Sequence, residues 1–138
     1  MEKSETDTVF SLNCSFGNFK DHIIKDLIEE NNKYFFISDV KAYVSKIQMY
    51  GKIISFIHEE KIIAYVLYYD NQDIPFISMV FVDKKYRKLG LAKKLINILK
   101  ILHNQIKLEV DPENYKAIRL YKELNFDYIS DKEMQYSK

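Results

Sequence analysis

The segment Val80 to Ile101, VFVDKKYRKLGLAKKLINILKI, decides how the chain is read. It opens on β-branched and aromatic residues and passes through a polar, basic turn holding Gly90. It then continues with Leu91, Leu95, Ile98 and Leu102 at helical spacing, which predicts strand, loop and helix in succession. From Lys84 to Lys107 every charged residue is basic: Lys84, Lys85, Arg87, Lys88, Lys93, Lys94, Lys100 and Lys107. The whole chain balances 21 basic against 20 acidic residues, so positive charge is concentrated here. A helix start leaves its first backbone N–H groups unpaired and carries the positive end of the helix dipole, so a loop folded into it can hold a polyanion. Gly90 permits positive φ and a close approach to the main chain, Ala92 is the next smallest choice, and Arg87 supplies a permanent, forked cation. Taken alone, R-x-x-G-x-A is a weak pattern, and a basic turn capping a surface helix explains it about as well.

With 138 residues and 47% hydrophobic content, the chain suits a single domain over residues 1–138 that buries its own core. Residues 1–7 are polar and acidic and are expected to fray. A net charge of +1 argues against a generally basic nucleic-acid binder, and 30% charged residues beside that core content argue against wholesale disorder. Cys14 is alone, which excludes an intrachain disulfide, and His22, His58 and His103 are scattered rather than spaced as ligands, so no metal is expected. Neither a signal-peptide core nor an apolar run of membrane-spanning length is present, and the expected location is the cytoplasm.

Around the central segment the order of elements follows from period and punctuation. Thr8 to Leu12 reads as a first strand, and Ile23, Ile24, Leu27 and Ile28 as the inner face of a helix over Asp21 to Asn31. After the aromatic run Lys33-Tyr34-Phe35-Phe36, Ser38 or Asp39 caps a second helix facing inward with Val40, Tyr43, Val44 and Ile47 and closing near Gly51. Lys52 to His58 and Lys61 to Tyr69 form a hairpin about Glu59-Glu60, followed by a strand from Pro75 to Val82. Gln105 to Val110 is the next strand. Asp111-Pro112 reads as an N-cap with proline at the first helical position, and Ala117, Leu120, Tyr121 and Leu124 form the inner face of that helix. Asn125 takes the left-handed stop, and Phe126 to Ser130 with Lys132 to Tyr136 closes the fold as a hairpin. The result is an α/β (α+β) order of β-α-α-β-β-β-α-β-α-β-β.

Arg87-Lys88-Leu89-Gly90-Leu91-Ala92 after a strand, followed by Asn114, Ala117, Leu120-Tyr121 and Asn125-Phe126, resembles the GNAT superfamily of acyl-CoA N-acyltransferases. The first group matches that family's Q/R-x-x-G-x-G/A motif. The second matches its later Asn, Ala, Leu-Tyr, Gly-Phe series, with Asn125 where the family prefers glycine. The resemblance implies a mixed, mostly antiparallel sheet with helices on both faces. It implies acetyl-CoA as acyl donor, its diphosphate on the main-chain N–H groups from Lys88 through Leu89, Gly90, Leu91 and Ala92 to Lys93, with Arg87 and nearby lysines neutralising it. The pantetheine arm would pair with the strand around Val80 and Val82, and the thioester would lie where that strand parts from the one ending at Val110. There a main-chain N–H of Met79 or Val80 would polarise the carbonyl of a tetrahedral intermediate formed by direct amine attack.

Tyr121 matches the family's general acid, a phenol still protonated at neutral pH; packing beneath the sheet is its bland alternative. Asn114 reads equally as a cofactor hydrogen-bonder or as a helix-start residue. No carboxylate stands on Phe76 to Val82, only Ser78; Glu109, Asp111 and His58 are possible bases, each read more readily as a solvated or structural residue, and a water chain or a backbone carbonyl is the alternative. Asp26, Glu29, Glu30 and Asp39 would favour a cationic amine, though charge on a helix face is usually solvated surface. The expected function is acetyl transfer from acetyl-CoA to a small-molecule amine by a monomer or homodimer, without metal, nucleic acid or membrane. The alternatives are acetylation of a protein N-terminus or lysine, and a non-catalytic CoA- or nucleic-acid-binding module.

Overall fold

A computed structural model of the chain describes residues 11–14, 40–59 and 61–138. The expected helix over residues 21–31, the aromatic run at 33–36 and the acidic side chains at 26, 29, 30 and 39 lie outside them. So do the side chains of Val40, Tyr43 and Val44. The first strand, β1, is described over Ser11–Cys14. It is followed by α1 (Val40–Tyr50), β2 (Gly51–His58), β3 (Lys61–Tyr69) and β4 (Phe76–Val82). A 3₁₀ turn (Lys84–Tyr86) leads into α2 (Leu91–Leu102), then β5 (Gln105–Glu109), α3 (Tyr115–Glu123), β6 (Phe126–Tyr128) and β7 (Glu133–Ser137).

These strands make one sheet of 7, in the order β1-β2-β3-β4-β5-β7-β6. Every pairing is antiparallel except β4 with β5, the pair that α2 connects. A parallel pair needs such a crossover, whereas the other neighbours need only turns or loops. The mixed sheet with helices on both faces is the architecture expected from the sequence.

β3 explains the two cores. Its run Ile63 to Tyr69 is buried throughout, so both faces must be covered, and no polar alternation marks it. Ala64, Val66 and Tyr68 face the layer under α2, with Leu91, Leu95, Ile96, Leu99, Ile106, Leu108 and Phe126. Tyr65, Leu67 and Tyr69 face the layer under α1, with Ile47, Ile53 and Met79. At the junction of α1 and β2, a Cβ on Gly51 would stand 2.7 Å from the Ile47 carbonyl oxygen, so only glycine lets the strand leave this close to the helix.

Two expectations need correction. Leu102 is 56% exposed, and the buried face of α2 is Leu91, Leu95, Ile96 and Leu99. The apolar stripe drifts around the helix, so its last turn clears the sheet. Asp111 is not the N-cap of α3 and Pro112 is not its first residue. Asn114 caps it, Oδ1 accepting from the Ala117 N–H at 3.2 Å, while Asp111 Oδ1 accepts from the Glu113 N–H at 2.9 Å in a preceding turn. Asn125 takes φ 70°, the left-handed stop expected of it.

Candidate active site

β4 is interrupted by one extra residue. Its register with β3 runs Tyr69↔Phe76, Tyr68↔Ile77, then Leu67↔Met79, leaving Ser78 unopposed as a β-bulge. Pairing with β5 ends at the same point, after Phe76↔Lys107 and Ile77↔Leu108. Beyond it β5 stays with its other neighbours, the Val110 N–H donating to Lys132 O at 2.8 Å. The two parallel strands therefore part at Ser78, and Met79 to Val82 form one wall of a gap.

Strand parity fixes which main-chain groups enter that gap. The Asp83 N–H donates to Ile63 O at 2.7 Å, so in the register Ala64↔Val82, Val66↔Val80 the hydrogen-bonded pairs with β3 fall on alternate residues. The N–H and C=O groups of Val80 and Val82 consequently point away from β3, into the gap, whereas those of Met79 and Phe81 point at β3. Of the two sequence candidates for polarising a carbonyl there, this orientation favours Val80. The Val82 carbonyl accepts from Arg87 Nε at 3.0 Å, which folds the guanidinium back across the end of β4.

The loop between β4 and α2 is built to expose amides. Asp83 caps the 3₁₀ turn by accepting from the Lys85 N–H at 2.9 Å, and its carboxylate lies 3.7 Å from Lys61 Nζ. Tyr86 stands edge-on to His58 with centroids 5.7 Å apart. Lys88 (φ 69°) and Gly90 (φ 74°) both take left-handed conformations that turn the chain into the helix. Gly90 is the N-cap, no side chain caps the helix, and a Cβ added to Gly90 would meet nothing within 4 Å. The Lys94 N–H already bonds to Gly90 O at 3.1 Å, which leaves the preceding N–H groups of Leu91, Ala92 and Lys93 as the helix's orphan donors. The geometry fits a diphosphate resting there. Lys93 Nζ is 3.0 Å from Glu123 on α3, so α2 and α3 are tied across the same mouth.

Tyr121 is half-buried and packs against the layer under α2 together with Val80, Val82 and Tyr86. Its ring lies 5.8 Å from Phe126, and burial pushes its phenol up to about 12. The hydroxyl makes no hydrogen bond to a described residue, so the bland reading, a phenol anchored on a backbone carbonyl, finds no partner among them. Asn114 is occupied in capping α3.

The three possible bases are separated by the fold. His58 stands at the end of β2 against Tyr86, 3.5 Å from Glu59. Asp111 holds its own turn. Glu109 is the last residue of β5, one position past the final pair with β4. Ile106 and Leu108 face α2, so alternation places Lys107 and Glu109 on the opposite face of the sheet, the face of α1. A cavity of about 390 Å³ lies on that face, lined by Lys46, Tyr69, Phe76, Lys107 and the residues 71–74. Neither the bulge nor the parity of Val80 carries a sequence signal, since Ser78 is a single small residue in an apolar run.

Among the described residues no cluster of metal-ligating side chains occurs, and no helix is long and apolar enough to cross a membrane. Solved structures share the fold over nearly the whole chain. Arabidopsis thaliana NAA60 in complex with acetyl-CoA matches with TM-score 0.72 at 18% identity, over 94% of this chain and 99% of that one. The ribosomal-protein-S18-alanine N-acetyltransferase from Escherichia coli matches with TM-score 0.70 at 20% identity, over 92% and 94%. An acetyltransferase from Streptococcus agalactiae matches with TM-score 0.74 at 12% identity, over 95% and 99%. No curated protein matches the chain. A mixed α/β sheet whose parallel pair parts beside an amide-lined helix start is the fold these acetyltransferases share. The profile of the acetyltransferase (GNAT) family matches residues 20–126, and the chain belongs to that family.

Proposed function

We propose that this acetyltransferase moves an acetyl group from acetyl-CoA to a small-molecule amine across the gap between β4 and β5, as a single catalytic domain of the cytoplasm. The observation that carries the reading is the placement of Val80 N–H in the gap, with Tyr121 on the α2 side and Glu109 on the α1 side. The diphosphate rests on the amides of Leu91, Ala92 and Lys93, with Lys88 and the exposed Nη groups of Arg87 adding charge. Val80 and Val82 extend the sheet toward the pantetheine amides, and Val80 N–H receives the charge that develops on the thioester oxygen.

The amine approaches from the α1 side, where Glu109 takes its proton directly or through water. Its nitrogen bonds to the carbonyl carbon, the C–S bond breaks, and the departing sulfur takes the Tyr121 proton. A phenol raised by burial to about 12 would hold its proton against a thiolate of ordinary basicity, about 8.5. The burial that raises the phenol also destabilises a thiolate formed beside it, which brings the two closer to matched.

The cavity of about 390 Å³ on the α1 face falls in the size range of small-ligand pockets, but it opens to solvent at the start of β4 and is lined by none of Val80, Glu109 or Tyr121, so the small acceptor rests on assay. Thiol release from acetyl-CoA is the assay, run against diamines, amino acids, arylalkylamines and a set of peptides with free N-termini. Turnover with a small amine at least tenfold faster than with any peptide is expected. Turnover with peptides alone overturns the small-molecule acceptor, and no acetyl-CoA binding by folded protein overturns the whole reading.

A further inference from the structure

The helix that carries Tyr121 is weakly held by its own side chains. α3 has 9 residues and none is fully buried, although Ala117, Ile118, Leu120 and Tyr121 lean on the core beneath α2. Its C-terminal end is held by the buried side chain of the C-cap Leu124 and, from the other side, by α2. Lys93 and Lys100 stand one heptad apart on α2, hence on one side of it, and both reach that end. Lys93 pairs with Glu123 at 3.0 Å, but both side chains are about half exposed, and such a pair is largely screened.

Lys100 is different. It is part-buried, and its Nζ donates to the carbonyl of Leu124, the C-cap of α3, at 2.9 Å. That carbonyl belongs to the helix terminus, where the dipole is negative and a cation is favourable. The same ammonium lies 4.5 Å from the centre of the Tyr136 ring. Tyr136 leans on Phe126 at 5.9 Å, and Phe126 on Tyr121 at 5.8 Å. One charge thus fixes the helix end three residues beyond Tyr121 and also the ring series against which Tyr121 rests.

We propose that Lys100 is the positioning residue of the acyl-transfer site, holding the Tyr121 phenol in line with the gap by clamping the end of α3 to β7. The inference rests on Tyr121 as the proton donor. Lys100 does not touch the reacting atoms. It acts by restricting a helix that would otherwise pivot, and a misplacement of about 1 Å costs as much as a hundredfold in rate.

The test is a double-mutant cycle of Lys100→Met and Tyr121→Phe, read by the rate of acetyl-CoA hydrolysis as a function of acetyl-CoA concentration, in which water takes the acetyl group and the sulfur still needs its proton. Lys100→Met is expected to lower kcat about tenfold with KM for acetyl-CoA within about twofold, and to have no further effect in the Tyr121→Phe background. Lys100→Arg, which can bond the carbonyl and stack on Tyr136, is expected to restore at least a third of the wild-type rate. Lys100→Gln, whose amide is too short to reach Leu124, takes the place of methionine if the latter fails to fold. An equal loss in both backgrounds, or no loss at all, overturns the positioning role and leaves Tyr121 in place. An unchanged rate in Tyr121→Phe alone removes the acid, and the role of Lys100 with it.

Discussion

Gly90 separates strain from obstruction, because its two properties can be changed independently. At φ 74° and ψ 21° it sits in the left-handed region, and a Cβ built there has nothing within 4 Å. Alanine therefore clashes with no part of the protein and suffers only the conformational penalty, about 1–2 kcal/mol. For a chain of 138 residues that corresponds to a fall in Tm of about 3–8 °C. Asparagine visits this conformation more readily, so Gly90→Asn should lose less than half as much. The ligand experiences the opposite order. A methyl or a carboxamide fills the space through which a diphosphate reaches the N–H groups of Leu91, Ala92 and Lys93, and one charge-assisted hydrogen bond lost is worth about 1.5–3 kcal/mol. That is roughly a tenfold to hundredfold rise in Kd. Calorimetric titration of acetyl-CoA into both variants, beside thermal melts, gives the two readouts. Asparagine should bind at least as poorly as alanine while melting higher. If Gly90→Asn binds acetyl-CoA with wild-type affinity, the diphosphate does not approach this face of the loop and the proposed site is wrong.

Other residues yield sharper chemistry. Glu109→Gln is expected to lower kcat/KM for the amine about tenfold to a hundredfold at pH 7, with the deficit shrinking as rising pH deprotonates the free amine; equal rates at pH 7 would relieve Glu109 of its duty. Tyr121 makes stability depend on alkaline pH. Its phenol ionises near 10 when unfolded and is pushed up to about 12 by burial when folded, so its contribution is complete below 10 and is lost as pH climbs toward 12. The span is worth at most about 2–3 kcal/mol. Urea melts at pH 9 and pH 11 should show a larger alkaline loss in wild type than in Tyr121→Phe, and identical losses would contradict the burial of the phenol.

Much of the fold is local enough to be written in the chain. β2 and β3 are continuous apolar and aromatic runs, and their observed ends lie within a residue of the expected ones. Gly90 and Asn125 were legible because few residues tolerate φ near 70° without cost. The start of α3 shows how local signals compete. Asp111 and Asn114 can both cap a helix, and Asp-Pro is the stronger pattern in isolation. Yet Asn114 delivers a helix that begins where the half-buried Ala117, Ile118 and Leu120 can lean on the core. Leu102 differs for a related reason: a residue's face can be counted from the period, but the point where a helix runs past the sheet cannot. The grip of Lys100 on Leu124 spans 24 positions and is set by packing alone.

The bulge at Ser78 couples these scales, and its consequence for chemistry is a matter of parity. Continue the pairing of Phe76 with Tyr69 and Ile77 with Tyr68 without the extra residue, and Val80 would fall opposite Tyr65 rather than Val66. Its N–H would then face β3 and be spent on the ladder, leaving no donor in the gap. Side chains would exchange faces with it, turning Val80 toward α1 and Met79 toward α2, against the packing each now has. One inserted residue thus coincides with the end of the pairing with β5 and frees the Val80 amide from the ladder with β3. Under the proposed mechanism, the Val80 amide so freed is the donor to the thioester oxygen, and Glu109 on β5 supplies the carboxylate that β4 itself lacks.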